Sequence, residues 1–180
     1  MMFNSVYLGL GSNRDNRLWY IVQALRLLDK SPNIEIRRIS GIYDTKPYGI
    51  KNQRDFLNSV VEIHTNFRPA KLLQFGKFIE IKLGRIDRGK WQPREIDIDI
   101  LTYSDLQLSL SWLNIPHKDL HKRRFVLAPF CEISPDLWLP GYQKKIQNLY
   151  DFCPDQGKVR LIYPAEELHI KLDAREKALR

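Results

Sequence analysis

Apolar and polar residues alternate along four stretches of this 180-residue chain, with the two-residue period of a β-strand. The stretches are residues 3–10, 34–43, 56–65 and 96–103. Between the first two, apolar residues recur at helical spacing over residues 18–28, and Ser12 or Asn13 is expected to cap that helix. A second helix is predicted to begin at Pro69, because proline suits a first helical turn.

The order strand, helix, two strands, helix, strand predicts an α+β protein with a ferredoxin-like βαββαβ antiparallel sheet. Apolar stretches at 126–133 and 146–152 predict further helices, so helices are expected on both faces of the sheet. Residues 1–152 are predicted to form one domain. Residues 153–180 form a C-terminal extension, expected to be an added strand at 159–163 and a solvated helix packed on the same domain.

The last strand carries the most informative pattern, because acidic and aliphatic residues alternate along it. Residues two apart on a strand share a face, so Asp97 and Asp99 project together while the neighbouring isoleucines face the core. Two adjacent carboxylates repel each other, and a hard cation such as Mg²⁺ removes that cost. The alternative is a solvated edge strand whose charges deter aggregation.

A basic cluster just upstream favours the metal interpretation. Arg85, Arg88, Lys90 and Arg94 precede the acidic pair. Guanidinium groups bind phosphate oxygens, so a metal-binding pair beside this cluster suits a triphosphate. Trp91 lies within the cluster, where an aromatic ring can stack on a base.

The composition narrows the class of partner. The net charge of +8 is compatible with nucleic acid, an acidic membrane surface or a small polyanion. Because the basic residues gather at 82–94 and 117–124, on either side of the acidic pair, a single nucleotide fits better than a long polymer. No stretch has the length of a membrane span or the pattern of a signal peptide. The two cysteines, Cys131 and Cys153, are expected to be free thiols in a reducing cytoplasm.

Three further features leave alternatives open. The polar stretch 44–55 is expected to be either a substrate-covering loop or a disordered one. Asn58, beside Phe56 on one strand face, can hydrogen-bond a flat heterocycle or nearby loop backbone. The Gly9-x-Gly11 pair favours a tight turn over a phosphate loop, because it lacks the further residues of either phosphate-binding motif.

Residues 90–101, Lys-Trp-Gln-Pro-Arg-Glu-Ile-Asp-Ile-Asp-Ile-Leu, resemble the signature of the 6-hydroxymethyl-7,8-dihydropterin pyrophosphokinase family of the folate pathway. Further motifs fall in the family's order and spacing at residues 7–13, 43–49, 55–58, 83–85 and 115–125. The resemblance covers about residues 3–152. It implies transfer of pyrophosphate from ATP to the hydroxymethyl oxygen of the pterin, with release of AMP.

The resemblance also implies roles for individual residues. Asp97 and Asp99 would hold two Mg²⁺ ions and, with Arg94 and Arg85, form the catalytic set. The implied ATP site comprises Lys77, Glu80, Arg85, Arg88, Trp91, Arg94, Ile100, Asn114, His117 and Arg123. The implied pterin site comprises Thr45, Pro47, Tyr48, Phe56, Asn58, Trp91 and Phe125. Loops 44–55 and 84–93 would close over the two substrates. The expected protein is a cytoplasmic monomer with small-molecule substrates and no nucleic-acid or membrane partner.

Several positions depart from the family pattern. They are Lys46, Lys77, Asp87, Gln92, Trp112 and Lys118, most of them near the ATP site, and Arg88 is a candidate to replace a phosphate-binding arginine expected near Asp87. Two other functions remain open on the residues alone: a Mg²⁺-dependent nucleotidyltransferase and a ferredoxin-like RNA-binding module. Against the RNA-binding module, this sequence lacks the glycine–aromatic pattern of RNA-binding sheets. Release of AMP would separate the pyrophosphokinase from both.

Overall fold

The computed structural model describes residues 3–47, 52–89 and 92–168. Its elements are β1 (Asn4–Ser12), α1 (Arg17–Asp29), β2 (Ile34–Ile39), β3 (Ile42–Thr45), β4 (Phe56–Thr65), α2 (Pro69–Lys82), β5 (Asp97–Tyr103), β6 (Leu108–Ser109), β7 (Asn114–Ile115), α3 (Arg124–Ile133), β8 (Trp138–Leu139), β9 (Lys144–Lys145), α4 (Ile146–Asp151) and β10 (Val159–Tyr163). A short 3₁₀ turn, Leu120–Lys122, precedes α3. None of the helices in these ranges combines the length and the apolar run needed to cross a membrane.

The central element is a six-stranded sheet in which every pairing is antiparallel. Its order is β10-β3-β4-β1-β5, and β2 also pairs with β4. β1 therefore lies between β4 and β5, which brings the acidic strand beside the strand that carries Gly9 and Gly11. The predicted mixed helix and strand architecture with an antiparallel sheet is confirmed.

Hydrophobic side chains cover both faces of the sheet. On one face, α1 and α2 pack over residues such as Leu8 and Ile98. On the other face, α3 and α4 pack over Tyr7, Val60 and Leu101. Side chains that alternate along β1 and β4 thus contribute to two hydrophobic cores, one on each face of the sheet. The predicted helices on both faces are confirmed.

Two local predictions are wrong. Residues 34–43 do not form one strand, because Ser40 and Gly41 interrupt the strand between β2 and β3. There the Ser40 hydroxyl accepts the Val60 N–H at 2.9 Å, and the Glu132 carboxylate accepts the Gly41 N–H at 3.0 Å. The cap of α1 is Asn16, whose side chain accepts the Trp19 N–H at 3.2 Å.

Neither Ser12 nor Asn13 caps that helix, because pairing with β4 continues β1 through Ser12. Beyond residue 152, the predicted added strand is present as β10, which pairs with the outer edge of β3. Leu161 of β10 lies against Gly41, where a Cβ atom would approach it to 2.4 Å. Leu168 is fully buried in the core beneath α1 and α2. The helix predicted beyond residue 168 lies outside the described residues.

Candidate active site

Asp97 and Asp99 lie on one face of β5, as the alternation predicted. The isoleucines around them face the core, where none is more than 5% exposed. Across the sheet, Gly11 stands opposite Asp97 and Gly9 opposite Asp99. Because directly opposed residues point to the same face and glycine has no side chain, the space beside both carboxylates stays open.

Asp97 is held by two arginines from the segment between α2 and β5. Arg85 donates from Nη1 to Oδ1 and Arg94 from Nη1 to Oδ2, both at 2.6 Å. Lys77 Nζ lies 3.9 Å from Oδ1. Burial acts to raise the pKa of Asp97, but these three cations outweigh it and lower the pKa, so this carboxylate is ionised at neutral pH.

Asp99 lies further from cationic side chains than Asp97 does. Among the described residues its nearest cation is Arg123, with Nη1 3.7 Å from Oδ2. Burial and the negative charge of Asp97 raise the pKa of Asp99 to about 6. The side chain remains 37% exposed. An ionised Asp99 therefore lies in an electrostatically unfavourable position that a cation would relieve.

The residues present fit a Mg²⁺ site that is completed by substrate. Within the described ranges, no group of three or more histidine, cysteine, aspartate or glutamate side chains is placed to hold a metal ion. Asp97 and Asp99 offer two carboxylates facing open space. Mg²⁺ is commonly bound by one or two carboxylates, with substrate phosphates and water supplying the other ligands.

A cavity of about 350 Å³ opens above this acidic pair. One end is polar, formed by Asp97, Asp99 and Arg94 together with His117 and Arg123. The other end has aromatic and amide groups, formed by Phe56, Asn58, Thr45 and Phe125. Seven further lining residues were not predicted from the sequence as site residues: Gly9, Leu10, Gly11, Ser59, Val60, Leu101 and Val126; the departing residue Lys46 also lines it. The arrangement suits a flat heterocycle joined to an anionic group.

Asn58 bonds to a side chain at the first cavity, and its predicted contact with a heterocycle stays a prediction. Its Nδ2 donates to Thr45 Oγ1 at 2.7 Å, so its partner is a side chain and not loop backbone. A Cβ atom at Gly11 would lie 3.1 Å from Asn58 Oδ1. Glycine at this position therefore leaves the amide oxygen accessible from the cavity, and Thr45 fixes the orientation of the amide.

A second cavity of about 580 Å³ adjoins the first through Arg94 and Arg123, which line both. Most of its other lining belongs to the segment between α2 and β5: Arg85, Ile86, Asp87, Arg88, Gly89, Gln92 and Pro93, with Lys118 and Asp119 opposite. Five of these residues, counting Arg94 and Arg123, are cationic. A polyanion could therefore extend from the acidic pair into this basic space.

His117 lines the first cavity beside Arg123, which lines both cavities, and its ring is held neutral. Burial, followed by the positive charge of Arg123, lowers the pKa of His117 to about 4, against the smaller opposing effect of Asp119. The Asp119 N–H donates to Nδ1 at 3.2 Å. Arg123 Nη1 lies 3.5 Å from Nε2. An uncharged ring beside Arg123 and Lys118 can form hydrogen bonds without adding to their repulsion.

Four residues of the implied ATP site do not line either cavity. Glu80 is 2% exposed and accepts the Ile98 N–H at 2.8 Å, and Lys77 pairs with it at 2.9 Å. Ile100 faces the core beneath α1 and α2. Asn114 bonds within the β6–β7 hairpin. Of the departing residues, Trp112 also lies outside both cavities and is 56% exposed.

Three residues remain to be placed. Pro47 follows the cavity-lining Lys46 but is not itself part of the lining. Tyr48 and Trp91 lie outside the described residues, as does Lys90. Their predicted contacts with pterin and ATP stay predictions.

Sequence reasoning missed Asn13 as a site-organising residue. It is 1% exposed, donates from Nδ2 to Gln53 Oε1 at 3.0 Å, and accepts the Arg94 N–H at 2.8 Å. It thereby joins the two loops that flank the first cavity. A local signal was present, since an asparagine at a strand end commonly bonds backbone, but only the tertiary structure shows that its partners are distant.

Comparison with known proteins gives a consistent result. Residues 7–135 match the family described as 7,8-dihydro-6-hydroxymethylpterin-pyrophosphokinase (HPPK). A 2-amino-4-hydroxy-6-hydroxymethyldihydropteridine pyrophosphokinase of Aquifex aeolicus is 43% identical over 144 residues, covering 80% of this chain and 89% of the relative. The protein of that name from Bacillus subtilis is 40% identical over 132 residues, covering 73% of this chain and 79% of the relative.

The fold is also similar to solved structures. Wild-type Plasmodium falciparum HPPK-DHPS superposes with a TM-score of 0.65 at 19% identity, covering 83% of this chain. The matched part is 44% of that longer chain. At this level of identity the likeness concerns the fold alone.

Proposed function

This chain belongs to the 7,8-dihydro-6-hydroxymethylpterin-pyrophosphokinase family, and we propose that its two adjoining cavities carry out the pyrophosphate transfer for which that family is named. ATP is the donor, and 6-hydroxymethyl-7,8-dihydropterin is the acceptor. A bond forms between the hydroxymethyl oxygen and the β-phosphorus of ATP, and the bond from that phosphorus to the oxygen of AMP breaks. The proton of the hydroxymethyl group is released.

One observation carries the proposal. Asp97 and Asp99 line the polar end of the first cavity, and Arg94 and Arg123 at that end also line the basic second cavity. An acceptor ring between Phe56 and Phe125, with Asn58 as its amide partner, would direct its hydroxymethyl group towards the carboxylates. A triphosphate extending from the second cavity would reach the same point.

The chain's own residues supply positioning and charge neutralisation, which phosphoryl-type transfer mainly requires. Arg85 and Arg94, which pair with Asp97, would bind phosphate oxygens. Arg123, which lines both cavities, would bind them as well. Asp97 and Asp99 would hold Mg²⁺, proposed as two ions, which supplies charge neutralisation and acidifies a bound hydroxyl. His117 provides a neutral hydrogen-bonding group beside the phosphates.

Further properties belong to the same proposal. We infer a ferredoxin-like fold from the strand order β5-β1-β4-β3, and a single domain from the packing of β10 and Leu168 against the sheet and its core. We also infer a cytoplasmic monomer. The free thiols of Cys131 and Cys153 support a reducing compartment.

The decisive experiment is a product assay with ATP, Mg²⁺ and 6-hydroxymethyl-7,8-dihydropterin. AMP and pterin diphosphate are expected in equal amounts. ADP as the nucleotide product, or pyrophosphate release with a nucleotide joined to the acceptor, would contradict the proposal. Salt-sensitive binding of single-stranded RNA without AMP formation would favour the RNA-binding alternative.

The metal assignment is tested separately with Asp97→Asn and Asp99→Asn. Each is expected to lower turnover at least about 1000-fold while the thermal unfolding midpoint shows a folded protein. Asp136→Asn is the matched control, because Asp136 is 85% exposed and pairs with Lys145 outside both cavities. Full Mg²⁺-dependent turnover in either site variant would refute the assignment.

A further inference from the structure

Arg88 differs from the other arginines of the second cavity in what it binds. Arg85 and Arg94 both donate to Asp97 at the edge of the cavities. Arg88 instead donates to Glu95, from Nη1 to Oε2 at 3.0 Å and from Nη2 to Oε1 at 2.8 Å. This bidentate geometry uses both terminal nitrogens of the guanidinium group.

Glu95 is a buried carboxylate with a second cationic neighbour. It is 4% exposed, and Arg14 Nε, from the turn after β1, lies 3.4 Å from Oε1. Arg88 and Arg14 therefore give this buried carboxylate two cationic partners.

Glu95 is also fixed to the sheet. Its neighbour Arg94 accepts the Asn13 N–H at its carbonyl at 3.2 Å and donates its own N–H to Asn13 Oδ1 at 2.8 Å. β5 begins two residues later, at Asp97. A side chain that binds Glu95 is therefore attached to the same rigid segment that carries the acidic pair.

We propose that Glu95 is a positioning residue for ATP. Glu95 holds Arg88 and thereby keeps residues 85–89 in place as one wall of the second cavity. The assignment rests on the proposed function, because it takes this cavity as the triphosphate site. It gives Arg88 a different role from phosphate binding. A phosphate contact by the terminal nitrogens of Arg88 would require the bidentate pair to break, and Arg14 would then be the one cation left beside the buried Glu95 among the described residues.

The two roles predict opposite effects for Glu95. If Arg88 is an anchor, Arg88→Gln and Glu95→Gln remove the same interaction and weaken nucleotide binding alike. If Arg88 binds phosphate, Arg88→Gln weakens binding, whereas Glu95→Gln releases the guanidinium and leaves binding unchanged or tighter. The double variant distinguishes the roles further, because two residues that act only through each other have non-additive effects.

The test measures the affinity for a non-hydrolysable MgATP analogue by calorimetry. Each single variant is expected to raise Kd about fivefold, and the double variant no further than either single variant. In steady-state assays the KM for ATP should rise while the KM for pterin stays unchanged. Arg37→Gln is the control, since Arg37 forms an exposed ion pair with Glu35 on β2, outside both cavities. The proposal would be overturned if Arg88→Gln weakened binding of the analogue while Glu95→Gln left it unchanged. It would also be overturned if the effects of the two substitutions on Kd were additive.

A readout without substrate separates this proposal from the proposed function. Amide hydrogen exchange of residues 85–89 is expected to be at least about threefold faster in substrate-free Glu95→Gln than in the wild type. Arg88→Lys keeps the charge but not the bidentate geometry, and it covers the case in which Glu95→Gln does not fold. Unchanged exchange in both variants would refute the anchor, whether or not AMP is formed in the product assay.

Discussion

The neutral state of His117 makes a strong prediction about stability at low pH. The pKa of His117 is about 4 in the folded protein, against an ordinary value of about 6.5 in an unfolded chain. Between these two values the unfolded state binds a proton that the folded state does not. Stability is therefore fully present above about pH 6.5 and is lost as the pH falls towards 4.

The size of the effect follows from the two pKa values. A difference of about 2.5 corresponds to a ceiling of about 3 kcal/mol. Because the ring is only partly buried and faces a cavity, solvent screening reduces this to about 1–2 kcal/mol. For a chain of this length, such a loss lowers the unfolding midpoint by roughly 2–8 °C.

The assay compares thermal unfolding of the wild type and His117→Asn at pH 7.5 and pH 4.5. Asparagine keeps an oxygen that can accept the Asp119 N–H but does not titrate. The wild type should lose about 1–2 kcal/mol more than the variant between the two pH values. His64→Asn is the control, because His64 lies in β4 outside both cavities. Equal losses in the wild type and His117→Asn would refute the reasoning.

Three further predictions concern the cavity and the sheet edge. Phe125→Ala should weaken pterin binding at least about tenfold and ATP binding much less, and equal losses in calorimetry would contradict the stacking role. Gly11→Ala places a Cβ 3.1 Å from Asn58 Oδ1 and should raise the KM for pterin several-fold with the KM for ATP unchanged. Gly41→Ala places a Cβ 2.4 Å from Leu161 Cδ1 and should lower the free energy of unfolding by about 1–3 kcal/mol, measured by urea titration; unchanged stability would show that β10 shifts freely.

The faces of the strands could be predicted because they depend on local period. Along β5, each isoleucine and each aspartate faces the side that alternation assigns to it. The same holds for β4, where Phe56 and Asn58 face the cavity and Leu57 faces the core. A two-residue period combined with a large apolar core leaves little choice of face.

Features that depend on distant partners could not be predicted. Residues 34–43 read as one strand, since nothing local shows that Ser40 will bond to β4 or that Glu132 will bind Gly41. The position of Arg88 indicated a phosphate ligand, and nothing local showed that its guanidinium would pair with Glu95, seven residues further along the chain. Spacing shows which charges are near in sequence, but not which of them pair.

The pairing of β10 with β3 has a consequence for protein synthesis. The outer edge of β3 carries backbone groups that remain without strand partners until residues 159–163 have been made, more than 110 residues later. Chains emerge from the ribosome N-terminus first, at about 5–20 residues per second. For some seconds, the nascent chain therefore exposes an open strand edge beside Thr45, the kind of edge that templates association with other chains. Pairing of the strand edge next to the first cavity is therefore among the last steps of making this protein.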